Sequence, residues 1–159
     1  MREENALSMS FPDAMFDGAY IMHVGMNIED KAALFAEVFR VLRPGARFGI
    51  YDIMRTGPGE LAYPVPWAGS PATSFLADTD TYKTAMQAAG FVVSDETSRR
   101  DFALEFFRNV RVANQANGGP PPLGLHTLMQ HTAAAKVGNL VKNISAGLIA
   151  PVELIATKP

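Results

Sequence analysis

Two apolar segments joined by one helix restrict this chain more than any other feature of its sequence. Residues 16–24, FDGAYIMHV, are almost wholly apolar from Ala19 to Met22, as in a strand buried on both faces of a parallel sheet. Asn27, with Asp30 three residues on, reads as a helix N-cap. Leu34, Phe35, Val38, Val41 and Leu42 then keep helical spacing to about residue 42. Pro44-Gly45 stops that helix, and a second strand is expected at about 47–54 around Phe48, Ile50 and Tyr51. A strand, a helix and a strand in this order form a parallel crossover unit.

The remainder continues the alternation. Residues 55–77 hold four prolines and three glycines, a long loop of the kind that often covers a site. A helix is predicted over 79–89, capped by Gly90, and a strand over 91–97. Two further helices are predicted at 101–115 and 124–146, and Val152, Leu154 and Ala156 alternate in a final strand over 151–157. The fold class is α/β, and residues 1–159 read as a single domain.

Composition excludes several classes. The formal net charge of -2 argues against a nucleic-acid-coating surface. The chain has no cysteine, so thiolate metal sites and disulfides are excluded. His126 and His131 are five apart on one predicted helix, a spacing that does not bring two ligands to one face, so no metal site is expected. No apolar run is long enough to span a bilayer, and a soluble cytoplasmic protein is the simplest expectation.

Three segments carry a family resemblance. Ser10-Phe11-Pro12-Asp13-Ala14-Met15-Phe16-Asp17 resembles the segment before the fourth strand of small-molecule class I S-adenosylmethionine-dependent methyltransferases. Residues 37–46, EVFRVLRPGA, are similar to that family's helix-to-strand turn. Residues 23–28, HVGMNI, resemble sarcosine and dimethylglycine N-methyltransferase-like members of the type 11 family. The resemblance implies a partial Rossmann-like sheet, with the four strands standing for strands 4, 5, 6 and 7 of the order 3-2-1-4-5-7-6. On that reading the chain is the C-terminal portion of the domain, without strands 1–3, the glycine-rich cofactor loop or the acidic residue that meets the ribose. Strand 16–24 would then be an edge, to be covered by a second copy in a homodimer or by a different chain.

The implied function is methyl transfer from S-adenosylmethionine to a small molecule, an amine being the expected acceptor. The alternative is a non-catalytic methyltransferase half that serves as a dimeric scaffold or binding module. In the resembling family, positions equivalent to Asn5, Ala6, Phe11 and His23 lie along the cofactor, and His23 and Asn27 flank the methyl group as catalytic candidates. Asp52, Tyr63 and Trp67 are the substrate-binding candidates: Asp52 to orient an amine, and the aromatics because their faces attract methylated ammonium groups. Each has a structural alternative. His23 could simply pack at a strand end, Asn27 could only cap a helix, Asp52 could be satisfied by backbone donors, and the aromatics could pin the loop to the body.

Overall fold

The computed structural model describes residues 2–159. The strands are β1 (Phe16–Met22), β2 (Leu42–Arg55), β3 (Val92–Ser98) and β4 (Ile149–Thr157). The helices are α1 (Lys31–Val41), α2 (Thr79–Ala89), α3 (Arg100–Ala116), α4 (Leu125–Met129) and α5 (Ala133–Ser145). The sheet order is β1-β2-β4-β3; β1 runs parallel to β2, and β4 runs antiparallel to both neighbours. This is the 4-5-7-6 order that the resemblance implies.

Alternation along β2 divides the sheet into two faces. Phe48, Ile50 and Met54 join Val152, Leu154 and Ala156 of β4 under Leu34, Phe35 and Val38 of α1 and Tyr82 and Met86 of α2. Phe35 is at the centre of this layer, with ring centroids 6.0 Å from Phe48 and 5.6 Å from Tyr82. On the other face Ile53 and Ile149 pack with Ala103 of α3 and Leu140 and Ile144 of α5. Helix α2 has its predicted bounds. Asp78 caps it by accepting from Thr81 N–H, and Gly90 ends it at φ +105°, where a Cβ would also meet the Phe39 ring at 2.9 Å.

Four expectations are corrected. The cap of α1 is Asp30, whose carboxylate accepts from Ala33 N–H at 2.8 Å; Asn27 lies in a separate 3-10 turn, Gly25–Asn27. Strand β2 starts at Leu42, so Pro44-Gly45 falls inside the extended segment and does not separate helix from strand. The helix expected over 124–146 is two helices, interrupted by a 3-10 turn at Gln130–Thr132 where Gln130 takes φ +49°. Among the described residues strand β1 pairs only with β2, and it is not buried on both faces, since Tyr20 is 78% and Met22 59% exposed. No helix among the described residues is long and apolar enough to cross a membrane.

The long loop after β2 is held at both ends. Asn143 of α5 both donates to Ala62 O and accepts from Ala62 N–H, and Asn139 donates to Pro64 O. On the opposite side, Phe75 N–H donates to Met26 O and the Lys31 ammonium donates to Phe75 O at 2.8 Å and to Ile28 O. The loop thus forms a fixed wall against α5 and the turn after β1.

Candidate functional site

β1 ends because His23 turns out of the sheet at φ +55°, a left-handed conformation that costs a residue with a Cβ about 1–2 kcal/mol. Backbone bonds hold it there. His23 N–H donates to Tyr51 O at 2.8 Å, while the N–H groups of Val24 and Gly25 donate to the two carboxylate oxygens of Asp52, each at 2.8 Å. The Tyr82 hydroxyl donates to the same Asp52 carboxylate at 3.2 Å. Glycine is required two residues after His23, because a Cβ on Gly25 would come within 2.4 Å of Asp52 Oδ2 and 2.5 Å of the Tyr82 hydroxyl. Asn27 closes the turn, with Nδ2 donating to His23 O and Val24 O at 3.3 Å.

The turn brings His23 to a cavity of about 600 Å³ at the carboxyl ends of β1 and β2, where α/β sheets place ligands. His23, Asn27 and Tyr51 form its polar side; the His23 and Tyr51 rings meet edge to face at 5.3 Å. The rest of the lining is apolar: Met26, Ile53 and Pro151 below, Pro66 and Trp67 from the loop, Phe102, Ala103, Phe106 and Phe107 from α3, and residues of α4 and α5. Trp67 is oriented by its indole N–H, which donates to Ser74 Oγ at 3.0 Å.

Of the predicted residues, His23, Asn27 and Trp67 meet at this cavity. Tyr63 is half-buried in the loop and is not among the lining residues. Asp52 is completely buried beneath the turn, with both oxygens engaged by backbone N–H groups, the structural alternative read from the sequence. Asn5, Ala6 and Phe11 fall in one folded segment ahead of β1. Asn5 Oδ1 accepts from Leu7 N–H, Ala6 packs on the main core, and Phe11 stacks edge-on against Phe16 at 5.0 Å. Arg40 fixes this segment by donating to Met9 O, Phe11 O and the Asp13 carboxylate. Tyr51 and Phe102 were not singled out from the sequence. The alternation of β2 around Tyr51 was a usable signal, and Phe102 had none.

Desolvation pushes the His23 imidazole below its ordinary pKa, and the nearby Asp52 carboxylate partly opposes this. His23 is therefore neutral at pH 7 and able to accept a proton. The folded state favours the neutral ring, so this contribution to stability is present above pH 6.5 and is lost as pH falls through the lowered value. NMR titration is expected to place the midpoint of His23 below 6.5, and Asp52→Asn to move it lower still by removing the neighbouring charge. A midpoint above 6.5 contradicts the desolvated setting.

Residues 1–50 match the family model described as a methyltransferase domain. O-methyltransferase cnsE of Penicillium expansum is 33% identical over 100 residues, covering 61% of this chain and 35% of that protein. A solved putative sarcosine dimethylglycine methyltransferase from Galdieria sulphuraria superposes with TM-score 0.72 at 16% identity, over 97% of this chain and 57% of that one. The geranyl diphosphate C-methyltransferase of Streptomyces coelicolor A3(2), solved with Mg2+, geranyl diphosphate and S-adenosyl-L-homocysteine, gives 0.71 at 16%, over 99% and 53%. The chain thus spans about a third of that curated relative and little more than half of the solved ones.

Proposed function

We propose that this chain, with the fold of the class I methyltransferases and a methyltransferase-domain sequence over residues 1–50, forms the acceptor side of an S-adenosylmethionine-dependent methyltransferase site. The observation that carries this reading is the left-handed turn at His23, which aims a neutral imidazole into a cavity at the carboxyl end of a parallel strand pair. S-adenosylmethionine supplies, when bound, a methyl group on a positively charged sulfur. The cavity lining near His23 carries no cation to oppose that charge. The resemblance sets Phe11 and the Asn5–Ala6 step beside the adenine; neither lines the cavity, Asn5 Oδ1 already accepts from Leu7 N–H, and the Arg2 guanidinium, 5.2 Å over the Phe11 ring, would have to move aside for a base to stack there. The strand, glycine loop and helix that would complete a nucleotide cradle are not among the described residues. Within the site, His23 takes the acceptor's proton, Asn27 and Tyr51 orient the acceptor, and the apolar walls exclude water.

The expected amine acceptor rests on the resemblance at residues 23–28, on the loop aromatics and on Asp52; the Asp52 oxygens are committed to Val24 and Gly25, and Tyr63 does not line the cavity. A hydroxyl acceptor fits better, and cnsE is named an O-methyltransferase. Calorimetric titration with S-adenosylhomocysteine tests the reading. Saturable heat that disappears in Phe11→Ala supports it, whereas no heat at millimolar ligand leaves the scaffold alternative in its place.

The free edge of β1 supports the partner expectation. Edge strands are normally guarded by charge or proline, yet the single charge on β1, Asp17, is paired with Arg43, and Tyr20 and Met22 stand exposed beside the unpaired backbone. A second copy pairing antiparallel through β1 about an axis at Ala19 would set Asp17 opposite Ile21, with no like charges facing one another. Light scattering should give twice the 17.2 kDa chain mass, falling to one chain in Tyr20→Asp; a 17.2 kDa species for the unaltered chain rejects self-pairing.

A further inference from the structure

We propose that the cavity selects an uncharged, ring-bearing apolar acceptor with a single reacting hydroxyl, seated with that hydroxyl at His23 and its rings between Trp67 and α3. This rests on the methyltransferase reading of the same cavity and adds the class of substrate. Three observations support it. First, no charged side chain lines the cavity among the described residues. A carboxylate or phosphate on the ligand would lose its hydration without gaining a partner, and an ammonium would find aromatic faces but no carboxylate. Second, the polar groups are confined to one cluster, His23, Asn27 and Tyr51, so the lining can satisfy one hydroxyl and little more. Third, the opposite wall is aromatic, and its rim is apolar as well: Phe102 is 63% and Phe106 50% exposed. A volume of about 600 Å³ accommodates a multi-ring molecule, and smaller polar acceptors would leave most of the wall wet.

With the methyl donor bound, the acceptor oxygen would bond the methyl carbon as the carbon–sulfur bond breaks, the bonding pair would stay on sulfur, and the hydroxyl proton would pass to the His23 imidazole. The large apolar body contributes binding and alignment, and the single polar contact sets which hydroxyl reacts.

Trp67 is the only tryptophan in the chain and lines the cavity, so its fluorescence reports occupancy without any cofactor. The probes are 2-hydroxyanthraquinone held as its neutral phenol, anthraquinone-2-sulfonate with the same three rings and an anion, and sarcosine as a small amine. The neutral phenol is expected to quench Trp67 saturably and to bind at least tenfold tighter than the sulfonate, with no response to sarcosine. Phe106→Ala, at a half-exposed position, should weaken the phenol severalfold while leaving the far-ultraviolet circular dichroism unchanged. Equal or tighter binding of the sulfonate, a saturable response to sarcosine, or no quenching by the phenol overturns the proposal. Because the readout needs no S-adenosylhomocysteine, a failure here with calorimetric heat intact rejects the acceptor class alone. The reverse pattern rejects the cofactor reading alone.

Discussion

Asp52→Ala is expected to cost on the order of 3 kcal/mol and to abolish the Trp67 response to ligand together with it. The carboxylate is the sole acceptor described for Val24 N–H and Gly25 N–H, and it also receives the Tyr82 hydroxyl. Alanine would leave the buried Gly25 N–H and the Tyr82 hydroxyl without partners, each costing about 1–3 kcal/mol, partly offset by no longer burying a charge. The turn would then lose what holds His23 at φ +55°, and the imidazole would leave the cavity. Asp52→Asn keeps one acceptor oxygen and should lose about half as much stability. Burial pushes the Asp52 carboxyl above its ordinary range, outweighing the N–H bonds that pull it down. The folded state therefore holds this proton to higher pH than the unfolded chain does. The associated stability is present in acid and lost as pH rises through the raised value; the asparagine variant should lack that slope. Urea unfolding across pH measures both effects. Unchanged stability in Asp52→Ala would show that the turn does not depend on this carboxylate.

Phe35→Ala is expected to cost about 3–5 kcal/mol, the range for removing a fully buried phenylalanine and leaving a cavity behind. Phe35 is inaccessible to solvent and sits between Phe48 of β2 and Tyr82 of α2. The loss should extend to the site, because Tyr82 would lose its ring neighbour on one side while its hydroxyl supports Asp52. Residual folded protein should bind the hydroxyanthraquinone more weakly than Phe35→Leu, which keeps most of the volume. A loss below about 1 kcal/mol would mean that the layer collapses around the gap and that the site is not braced from α1.

The parts of the fold written in local chemistry were legible in the sequence. Helix α2 carries its own stop in Gly90, and the strand order followed from the family segments around Phe11–Asp17 and Glu37–Ala46. The start of α1 was misread because Asn27 and Asp30 are both good caps three residues apart. Only the fold shows that Asp30 reaches the Ala33 N–H, while Asn27 turns back on His23 O. The break at Gln130 had no signature, since an apolar stripe runs through it on either side.

At the site, the end of the apolar run points to His23, whereas Asp52 is named from β2 without a face being assigned to that strand. Asp52 has the same parity as Phe48, Ile50 and Met54, which places it over the core. Tyr51 and Ile53 have the opposite parity and face the cavity. Reading that alternation strictly would have exchanged Asp52 for Tyr51. The aromatic wall from α3 was beyond such reasoning. Phe102, Phe106 and Phe107 are on one helix, and which of them faces a cavity depends on where α4, α5 and the loop come to rest.

On the proposed reading, cofactor and acceptor meet at the His23 turn. Imidazole resonances of His23, followed by NMR as S-adenosylhomocysteine and then 2-hydroxyanthraquinone are added, test it most directly. Both ligands should shift His23, while His126 and His131 stay in place. If neither ligand moves His23, or both act only at residues outside the cavity, the turn is not where methyl donor and acceptor meet.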